Sequence, residues 1–390
     1  MDTKVGIVGA GPAGLLLAHL LRREGVDCVV IEARSRAYVE ERVRAGVLEQ
    51  GTVDLLRATG VGARMDKEGL LHDGVKLRFQ DRTHRIDIKA LTGRAVMVYA
   101  QHEVVKDLIA ANLAAGVPIL FEAEVTRVED AAGERPRIVY KQNGAEATLA
   151  CDFIAGCDGF HGRCREAAPA GFFTTYDRVY PFGWLGILAE APPASHELVY
   201  ANHERGFALQ SMRTPGITRA YVQCAPDEDI AQWPDERIWA ELKLRLAASD
   251  GEGVNEGRIF QKGVTAMRSF VTEPMQYGRL FLAGDSAHIV PPTGAKGLNL
   301  AAHDVFVLAG ALAAFYRTGA KAKLEAYSDV CLRRIWRAQH FSWWMTSMLH
   351  KFPDVAPFDR KRQFAELDAI SASEAGSRFL AENYAGHPFE

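Results

Sequence analysis

The sequence contains little cysteine, and its cysteines are not arranged as redox pairs or metal ligands. The 390 residues include 6 cysteines, namely Cys28, Cys151, Cys157, Cys164, Cys224 and Cys331. None belongs to a Cys-x-x-Cys pair, which excludes the common zinc and thiol–disulfide motifs. We therefore expect small buried side chains in a reducing compartment, and we predict no bound metal.

Charge of one sign and long apolar runs are also scarce. The formal net charge is −3, which gives no electrostatic footprint for nucleic acid. The longest apolar run, residues 305–316, lies between Asp304 and Arg317, and a run of this length is too short to span a bilayer. No signal peptide precedes Lys4, so we expect a cytoplasmic protein without nucleic-acid or membrane partners.

What the sequence does contain is a complete dinucleotide fingerprint near its start. An apolar run at residues 5–8 leads into a Gly-Ala-Gly-Pro-Ala-Gly turn at residues 9–14, and a helical stretch follows at 15–24. A second apolar run, residues 28–31, ends at Glu32. Strand, glycine turn, helix, strand and acid follow one another as they do in Rossmann-like dinucleotide sites.

Each glycine of this turn has a physical role. Gly9 permits the tight turn, Gly11 lets a pyrophosphate approach bare backbone, and Gly14 lets the helix pack close to the strand. The helix N-terminus then holds the phosphates, and Glu32 accepts hydrogen bonds from ribose hydroxyls. A purely structural glycine turn is the competing interpretation, but the two strands, the helix and the acid together favour an adenine dinucleotide.

Residues 178–225 have the sequence pattern of β-strands, with short apolar stretches separated by turn residues. Period-2 alternation places Ser211 and Arg213 on one face of their strand, and Arg219 and Tyr221 on one face of the next. A sheet surface with arginine, serine and tyrosine is a candidate anion-binding wall. A solvent-facing polar surface is the alternative.

A second loop rich in glycine and proline, residues 284–299, begins with Gly284-Asp285 and leads into a long helix. Such a loop brings backbone N–H groups and a helix N-terminus to one place. The remaining chain is mostly helical and carries an aromatic stripe, Trp336, Phe341, Trp343 and Trp344. The stripe is explained either by a buried core or by a dimer interface.

These motifs occur in an order that resembles the single-component FAD-dependent aromatic hydroxylases. The glycine turn, Asp158-Gly159 and Gly284-Asp285 carry the general resemblance. Residues 44–51, 180–186, 200–203, 291–299 and 341–346 resemble the hydroxybenzoate branch of that family. The resemblance runs from Val5 to about Tyr384. It implies hydroxylation of 4-hydroxybenzoate to 3,4-dihydroxybenzoate with NAD(P)H and O2, through a flavin C4a-hydroperoxide, as a step in aromatic catabolism.

The resemblance also implies the cofactor contacts. For FAD these are Gly9, Gly11, Gly14, Glu32, Arg42, Arg44, Val47, Gln101, Asp158, Arg219, Asp285, Leu298 and Asn299. For NAD(P)H they are Arg34, Tyr38, Arg42, Arg44, His161, Arg165 and Arg268. The sequence departs from the family pattern at Ala33, where arginine is frequent, and the added Glu40 and Glu41 oppose phosphate binding. We expect NADPH to be favoured, with NADH also used.

The implied substrate contacts are Tyr200, Ser211, Met212, Arg213, Tyr221 and Pro292, and the implied catalytic group is Tyr200, Tyr384, His72, Pro292 and Asn299. Arg213 would hold the benzoate carboxylate with a bidentate pair. Tyr200 and Tyr384 would pass the phenolic proton through ordered water toward His72, since hydroxyls donate and accept at once and histidine titrates near neutral pH.

The implied fold class is α/β. A Rossmann-like FAD-binding domain of the glutathione-reductase type occupies residues 1–175, with 74–99 joining a substrate sheet. A β-rich substrate domain follows at 176–268, the chain returns to the FAD domain at 269–310, and 311–390 form a helical interface region. A homodimer is expected.

Two kinds of alternative stay open. A related flavin hydroxylase acting on another hydroxylated aromatic acid would use the same wall. A flavin reductase or a halogenase that lost ring hydroxylation is also open, although a halogenase would need a catalytic lysine motif that the sequence does not show. The alternative from another class is a non-catalytic flavoprotein or aromatic-ligand sensor, which retention of Tyr200, Arg213 and Tyr384 disfavours.

Overall fold

Two eight-stranded sheets organise the computed structural model, which describes residues 1–44 and 46–389. Ala45, within the 44–51 motif, and Glu390, at the end of the predicted interface region, lie outside the described residues. The strands are β1 Asp2–Val8, β2 Cys28–Ile31, β3 Val47–Leu48, β4 Leu70–His72, β5 Gly74–Phe79, β6 Arg82–Asp87, β7 Val96–Val98, β8 Ile119–Leu120, β9 Ala123–Glu129, β10 Arg137–Gln142, β11 Ala145–Gly156, β12 Thr174–Glu190, β13 Leu198–Asn202, β14 Ala208–Thr214, β15 Ile217–Cys224, β16 Arg258–Glu273, β17 Gln276–Tyr277, β18 Leu280–Leu282 and β19 His288–Ile289. The helices are α1 Pro12–Arg23, α2 Arg36–Glu41, α3 Gln50–Ala58, α4 Ala63–Glu68, α5 Ile88–Thr92, α6 Gln101–Ala114, α7 Asp235–Arg245, α8 Gly297–Thr318, α9 Ala322–Glu325, α10 Tyr327–Leu349, α11 Pro357–Ala372 and α12 Glu374–Ala385.

The first sheet holds the dinucleotide fingerprint. Its strand order is β17-β18-β11-β1-β2-β8, with β9 and β10 joined through β11. Strand β1 pairs in parallel with both β11 and β2, and its last four residues are buried. Continuous apolar runs are typical of parallel strands because both sheet faces are covered. Gly9 therefore follows a central strand at the edge where ligands bind in open α/β sheets.

Helix α8 is the longest apolar element that covers this sheet. By length and composition it could cross a membrane, but 67% of its apolar window is buried inside the fold. The sequence analysis took Asp304 as the end of the apolar run, whereas Asp304 is fully buried within the helix. The apolar segment is therefore longer than predicted, and it is accounted for as a core helix.

The second sheet carries the predicted substrate wall, in the order β19-β16-β12-β15-β14-β13-β5-β6. Alternation gives it two buried faces. One face, with Tyr200 and Leu209, belongs to a core shared with Met345 and Leu380 of the C-terminal helices. The opposite face packs against Trp239 of α7. The predicted α/β class, with a Rossmann-like first sheet, a second β-sheet and a helical C-terminal region, is confirmed.

The observed element boundaries differ from the expected ones in several places. Strands β5 and β6 join the substrate sheet, whereas β7 pairs with β3 and β4 in a separate three-stranded sheet. The substrate sheet extends beyond residues 176–268, since β12 begins at Thr174 and β16 ends at Glu273. Helix α8 continues across the expected boundary at residue 310. These differences arise because long strands and helices continue past the local turn signals.

The aromatic stripe of α10 divides between core and surface. Phe341 is buried in the core beneath the substrate sheet, and Trp344 is half-buried and donates to Glu366 at 2.6 Å. Trp336 and Trp343 are 41% and 38% exposed. All six cysteines are buried and free, as the sequence predicts.

Candidate functional site

The backbone of residues 9–14 has the features that a bound pyrophosphate requires. Gly9 has a φ of +102°, a region that favours glycine. A Cβ at Gly14 would lie 2.0 Å from the Gly9 carbonyl oxygen, whereas a Cβ at Gly11 would meet nothing within 4 Å. Gly14 is therefore required for packing, and Gly11 faces open space at the start of α1. An FAD pyrophosphate fits this cradle.

Glu32 braces the same turn. Its carboxylate accepts the Ala10 N–H at 2.7 Å and the Arg34 N–H at 2.8 Å. The side chain is half-buried at the end of β2. It lies where the fingerprint puts the ribose acceptor, and the hydrogen bond to Ala10 fixes it relative to the pyrophosphate turn.

The loop that begins at Gly284, the second predicted FAD loop, is held by the buried carboxylate of Asp304 on α8. Asp304 Oδ2 accepts the Gly284 N–H at 2.9 Å and lies 2.6 Å from His288 Nε2. Ser286 Oγ donates to the Gly156 carbonyl at 2.5 Å. The neighbouring Asp285 is exposed. The loop is thus tied to α8 and β11, and it presents Asp285 on its open side.

Asp304 was missed by the sequence analysis. Its carboxylate, the His303 ring and the Cys331 thiol form a buried group whose candidate ligand atoms all lie within 4.8 Å of one another. Oδ2 of Asp304 already accepts the hydrogen bond from Gly284. Burial opposes the charged form of His288, but the carboxylates of Asp304 and Asp285 favour that form, and the pKa of His288 is raised overall. We interpret Asp304 as the acceptor that shapes the FAD loop.

The start of α8 contacts residues 47–52 through the side chain of Asn299. Asn299 Oδ1 accepts the Glu49 N–H at 2.9 Å and the Thr52 hydroxyl at 2.8 Å. Its Nδ2 donates to the carbonyls of Val47 at 3.0 Å and Ala295 at 2.9 Å. The Asn299 side chain is therefore committed to the protein. The first-turn N–H groups of Leu298 and Asn299 lack intrahelical acceptors, and they lie at the positive end of the helix dipole.

Asp158 closes its own loop against the glycine turn. Its Oδ2 accepts the Cys164 N–H at 2.9 Å, and burial raises the pKa of the carboxyl group. A Cβ at Gly9 would lie 3.1 Å from the Asp158 Cα. The geometry makes Asp158 a brace of the FAD turn. Gln101, another predicted contact, is the first residue of α6.

The substrate wall has the face composition that alternation predicts. Ser211 is paired with Arg219, and Leu209 with Tyr221, across β14 and β15. A Cβ at Gly186 would lie 2.7 Å from the Tyr221 ring, so the ring occupies space that only glycine leaves free. The Arg219 guanidinium lies 4.9 Å from the centroid of that ring. Ser211, Arg219 and Tyr221 therefore form one surface.

Arg213 lies at a register irregularity of β14, between Met212 and Thr214. Arg213 Nη2 donates to the Arg44 carbonyl, and Arg219 Nη1 donates to the same oxygen at 3.1 Å. Met212, by contrast, is paired with Thr218 and alternates to the opposite face. The side chain of Met212 therefore lies away from the Ser211 surface. This differs from the direct substrate contact that the resemblance implies.

Tyr200 and Tyr384 meet beneath this wall. Their hydroxyl oxygens are 2.6 Å apart, and the side chains are 1% and 2% exposed. Burial raises the pKa of both phenols, so both are neutral at physiological pH. Two neutral hydroxyls in contact form a pair that accepts a proton at one end while it donates one at the other.

His72 does not have the properties expected for the exposed end of a relay. It is 1% exposed on β4, and burial lowers its pKa to about 4. Among the described residues, neither ring nitrogen has a hydrogen-bond partner. The sequence analysis assumed the ordinary pKa of histidine. The structure instead places a neutral imidazole inside the protein.

The predicted NAD(P)H residues form two groups. Arg34 stacks over Tyr38 at 5.4 Å, next to the exposed Arg42 and Arg44. In the second group, the guanidinium groups of Arg165 and Arg268 lie over the Phe160 ring at 5.2 and 4.7 Å, and His161 contacts the same ring. Arg165 also donates to the Ser286 carbonyl at 2.6 Å, which commits much of its hydrogen-bonding capacity to the fold.

A buried histidine behind the wall was also missed. Trp184 Nε1 donates to His350 Nε2 at 2.7 Å, and the Trp184 ring lies 4.8 Å from that of Tyr221. His350 stacks on Phe207 at 4.3 Å. Burial lowers the pKa of His350 to about 3. No local pattern in the sequence links Trp184 to a residue so distant in the chain.

Pro292 begins a short 3-10 turn, Pro292–Gly294, that leads into α8. The turn is anchored by Thr293, whose hydroxyl oxygen lies 2.9 Å from that of Thr346. Ala295, which follows, has a φ of +55°. Pro292 is half-buried, and the turn fixes its position shortly before the start of α8.

Comparison with known proteins agrees with this site. Residues 2–342 match the FAD binding domain family. The chain is 48% identical over 391 aligned residues to p-hydroxybenzoate hydroxylase of Acinetobacter baylyi, covering 100% of this chain and 96% of the relative. It is 28% identical to 3-(3-hydroxy-phenyl)propionate/3-hydroxycinnamic acid hydroxylase of Mycolicibacterium smegmatis, over 83% of this chain and 57% of that protein.

Solved structures share the fold. The p-nitrophenol 4-monooxygenase of Pseudomonas putida superposes with a TM-score of 0.85 at 20% identity, covering 99% of both chains. A flavin-dependent halogenase superposes with a TM-score of 0.77 at 18% identity, over 97% of this chain and 76% of the other. Because hydroxylases and a halogenase share this architecture, the fold alone does not select the reaction.

Proposed function

Because the chain belongs to the family of FAD-dependent aromatic hydroxylases, we propose that it converts 4-hydroxybenzoate to 3,4-dihydroxybenzoate with NAD(P)H and O2. The observation that carries the proposal is the position of the Tyr200–Tyr384 hydroxyl pair beneath the sheet face that holds Ser211 and Tyr221. A carboxylate-binding wall and a phenol-directed hydroxyl pair are the two features that a para-hydroxylated benzoate needs.

When bound, FAD supplies acceptance of a hydride and activation of O2 for transfer of one oxygen atom to the ring. The protein binds and orients the ring. Arg213 has a planar fork that matches a carboxylate, and the Ser211 and Tyr221 hydroxyls complete its hydrogen bonds. Arg213 is half-buried, which strengthens a charged pair relative to one in water.

The Tyr200–Tyr384 pair moves the phenolic proton. A phenolate ring is more electron-rich than a phenol, and a free phenol titrates near pH 10. Tyr200 accepts a hydrogen bond from the substrate hydroxyl, and Tyr384 carries the proton onward through water. His72, whose pKa is lowered to about 4 by burial, would take part in this route only as a neutral hydrogen-bond acceptor and would not hold the proton.

We infer that NADPH is the favoured hydride donor and that NADH is also used. Arg34, Tyr38 and Arg42 provide an exposed cationic group beside the dinucleotide turn, which suits a 2′-phosphate. Glu40 lies in α2 together with Tyr38, and its carboxylate is paired with Arg36 at 2.7 Å. That pairing reduces the repulsion that Glu40 would exert on the phosphate.

Oligomeric state and location follow as further proposals. The exposed indoles of Trp336 and Trp343 line a surface cavity together with Tyr176, and we propose that this face joins two copies in a cytoplasmic homodimer. A Trp336→Glu/Trp343→Glu variant should then elute as a monomer in size-exclusion chromatography with light scattering. A wild-type monomer would contradict the proposal.

The function is tested by measuring oxidation of NADPH and NADH against a panel of hydroxybenzoates, with identification of the products. 4-Hydroxybenzoate should give 3,4-dihydroxybenzoate with NADPH consumed in about equal amount. A different aromatic acid with stoichiometric product would identify a related hydroxylase. A yellow protein that oxidises NADPH with none of the acids would identify a non-catalytic flavoprotein.

A further inference from the structure

The chain segment that carries Tyr384 is held by cations from distant elements. Lys296 Nζ donates to the carbonyl oxygens of Asn383 and, at 3.1 Å, Tyr384. Arg94 Nη1 donates to the Gly386 carbonyl at 2.6 Å. These carbonyls lie at the end of α12, where the last C=O groups of a helix lack intrahelical donors. Cations are favourable at this negative end of the helix dipole.

Arg334 extends the same arrangement beyond the helix. Its guanidinium donates to the carbonyl of His387 at 2.8 Å and to that of Pro388 at 3.0 Å. It also stacks on the Phe389 ring at 5.0 Å. Gly386 has a φ of +80°, so the chain leaves the helix there and runs across Arg334. We call residues 386–389 the C-terminal strap.

A single carboxylate connects the strap to the flavin helix. Glu49 accepts from Lys296 at 2.7 Å and from Arg334 at 3.1 Å, and it is 4% exposed. Because the single carboxylate of Glu49 pairs with two cations, backbone carbonyl oxygens supply the other acceptors. These belong to residues 383 and 384 for Lys296 and to residues 387 and 388 for Arg334. The Glu49 backbone N–H donates to Asn299. Hydrogen bonds through Glu49 therefore join the C-terminal strap, residues 47–49 and the start of α8 in one network.

We propose that Arg94 and Arg334 are positioning residues that fix Tyr384 by clamping the strap. The proposal rests on the proton relay proposed above. The Tyr200–Tyr384 contact is 2.6 Å long and lies within one residue of the end of α12. A helix end frays unless its carbonyls are satisfied, and a small displacement there breaks the relay without removing either hydroxyl.

The test compares product formed per NADPH consumed in Arg334→Met, Arg94→Met and Tyr384→Phe. Methionine keeps much of the apolar stem and removes the charge and the donors. Arg378→Met is the matched control, because Arg378 donates to the Leu91 carbonyl and pairs with Glu374 at the other end of α12. Arg334→Lys keeps the charge and should restore part of the coupling.

We expect coupling to fall by about twofold or more in Arg334→Met and Arg94→Met, because loss of a buried charged hydrogen bond shifts a local equilibrium by about tenfold. Binding of FAD and of 4-hydroxybenzoate should be retained, and Arg378→Met should remain coupled. The double variant Arg334→Met/Tyr384→Phe should be no less coupled than Tyr384→Phe alone. A residue that acts through Tyr384 has nothing left to position once the hydroxyl is gone.

The outcomes separate the clamp from the relay. If Tyr384→Phe lowers the product formed per NADPH while both arginine variants keep the wild-type ratio, the clamp proposal is wrong and the relay proposal is unaffected. If the arginine and tyrosine losses are additive, the arginines act on general stability and the clamp is again wrong. If Tyr384→Phe stays fully coupled, the relay is wrong, and the clamp falls with it.

Discussion

The hydroxyl oxygens of Tyr200, in the substrate sheet, and Tyr384, in the last helix, are 2.6 Å apart in a fully buried contact. Tyr200→Phe keeps the ring and removes one hydroxyl of this pair. We expect FAD and substrate to bind, NADPH still to be oxidised, and the yield of dihydroxybenzoate per NADPH to fall by about tenfold or more, since positioned proton transfer contributes about 10²–10⁴-fold. The electrons from NADPH should appear as hydrogen peroxide.

The measurement is the ratio of product to NADPH across pH 6 to 9 (roughly the interval in which a free phenol remains protonated). Tyr99→Phe is a control, because Tyr99 donates to Asp107 at 2.7 Å away from the substrate sheet. Full coupling of Tyr200→Phe with an unchanged pH profile would remove the relay from the mechanism.

Gly11→Val should abolish FAD binding without unfolding the protein. The backbone at Gly11 has a φ of −74°, which valine adopts, and a Cβ there meets nothing within 4 Å. The branched side chain would instead occupy the space for the pyrophosphate. The purified variant should be colourless, with the thermal stability of the wild-type apoprotein.

Gly14→Ala provides the contrast, since its Cβ would lie 2.0 Å from the Gly9 oxygen and should destabilise the fold itself. Both are checked by flavin absorbance and by thermal unfolding of the apoproteins. A yellow Gly11→Val protein with normal flavin content would overturn the assignment of this turn.

The sequence predicts local features of the site well. Residues 9–14 form the expected turn because strand, glycines and helix are adjacent in the chain. The surface of Ser211 and Tyr221 was predictable because side chains alternate along strands. The register irregularity at Arg213 was not predicted, since nothing in the local sequence marks it.

Features that depend on distant packing could not be predicted. Asp304 lies on a helix but serves the FAD loop, and His350 meets Trp184 across 166 residues of chain. The lowered pKa of His72 is a consequence of burial by other elements, so its residue type alone suggested the wrong protonation behaviour. Such relationships become visible only when the sheets and helices are assembled.

Arg213→Lys should weaken binding of 4-hydroxybenzoate even though the charge is kept. A charge-assisted pair contributes about 1.5–3 kcal/mol, or roughly 10- to 150-fold in affinity, and lysine lacks the planar fork. Dissociation constants measured by flavin fluorescence should show this loss. Arg205→Lys, where the exposed Arg205 pairs with the buried Glu241, should bind normally. Unchanged binding in Arg213→Ala would place the carboxylate elsewhere.

Arg42→Ser should raise the KM for NADPH by about tenfold or more, the effect of losing one charged hydrogen bond to phosphate. The KM for NADH, which lacks the 2′-phosphate, should change much less. Arg127→Ser is the control, because Arg127 on β9 is paired with Glu129 and Glu146 and is not among the predicted nucleotide contacts. An equal change in both KM values would mean that Arg42 does not contact the 2′-phosphate.

His350→Gln should make the protein less sensitive to acid. Burial lowers the pKa of His350 from 6.5 to about 3, because the ring is enclosed by Trp184 and Phe207. Between these two values the unfolded chain binds a proton that the folded protein does not. Stability is therefore fully present above pH 6.5 and falls as the pH is lowered toward 3. The free energy of unfolding changes with pH by up to about 1.4 kcal/mol per pH unit for this one proton.

Glutamine removes this titration and keeps an oxygen that accepts the Trp184 N–H. The variant should lose less free energy of unfolding between about pH 6 and pH 4, by up to one proton's slope, as measured by urea unfolding at each pH. His72, which is also buried with a lowered pKa, should account for part of the slope that remains. His340→Gln, an exposed position on α10, the helix that His350 caps, should leave the wild-type slope in place. If the free energy of unfolding falls equally with pH in His350→Gln and the wild type, the buried imidazole is already protonated in the folded protein. The assignment of a neutral His350 stacked behind Tyr221 would then be wrong.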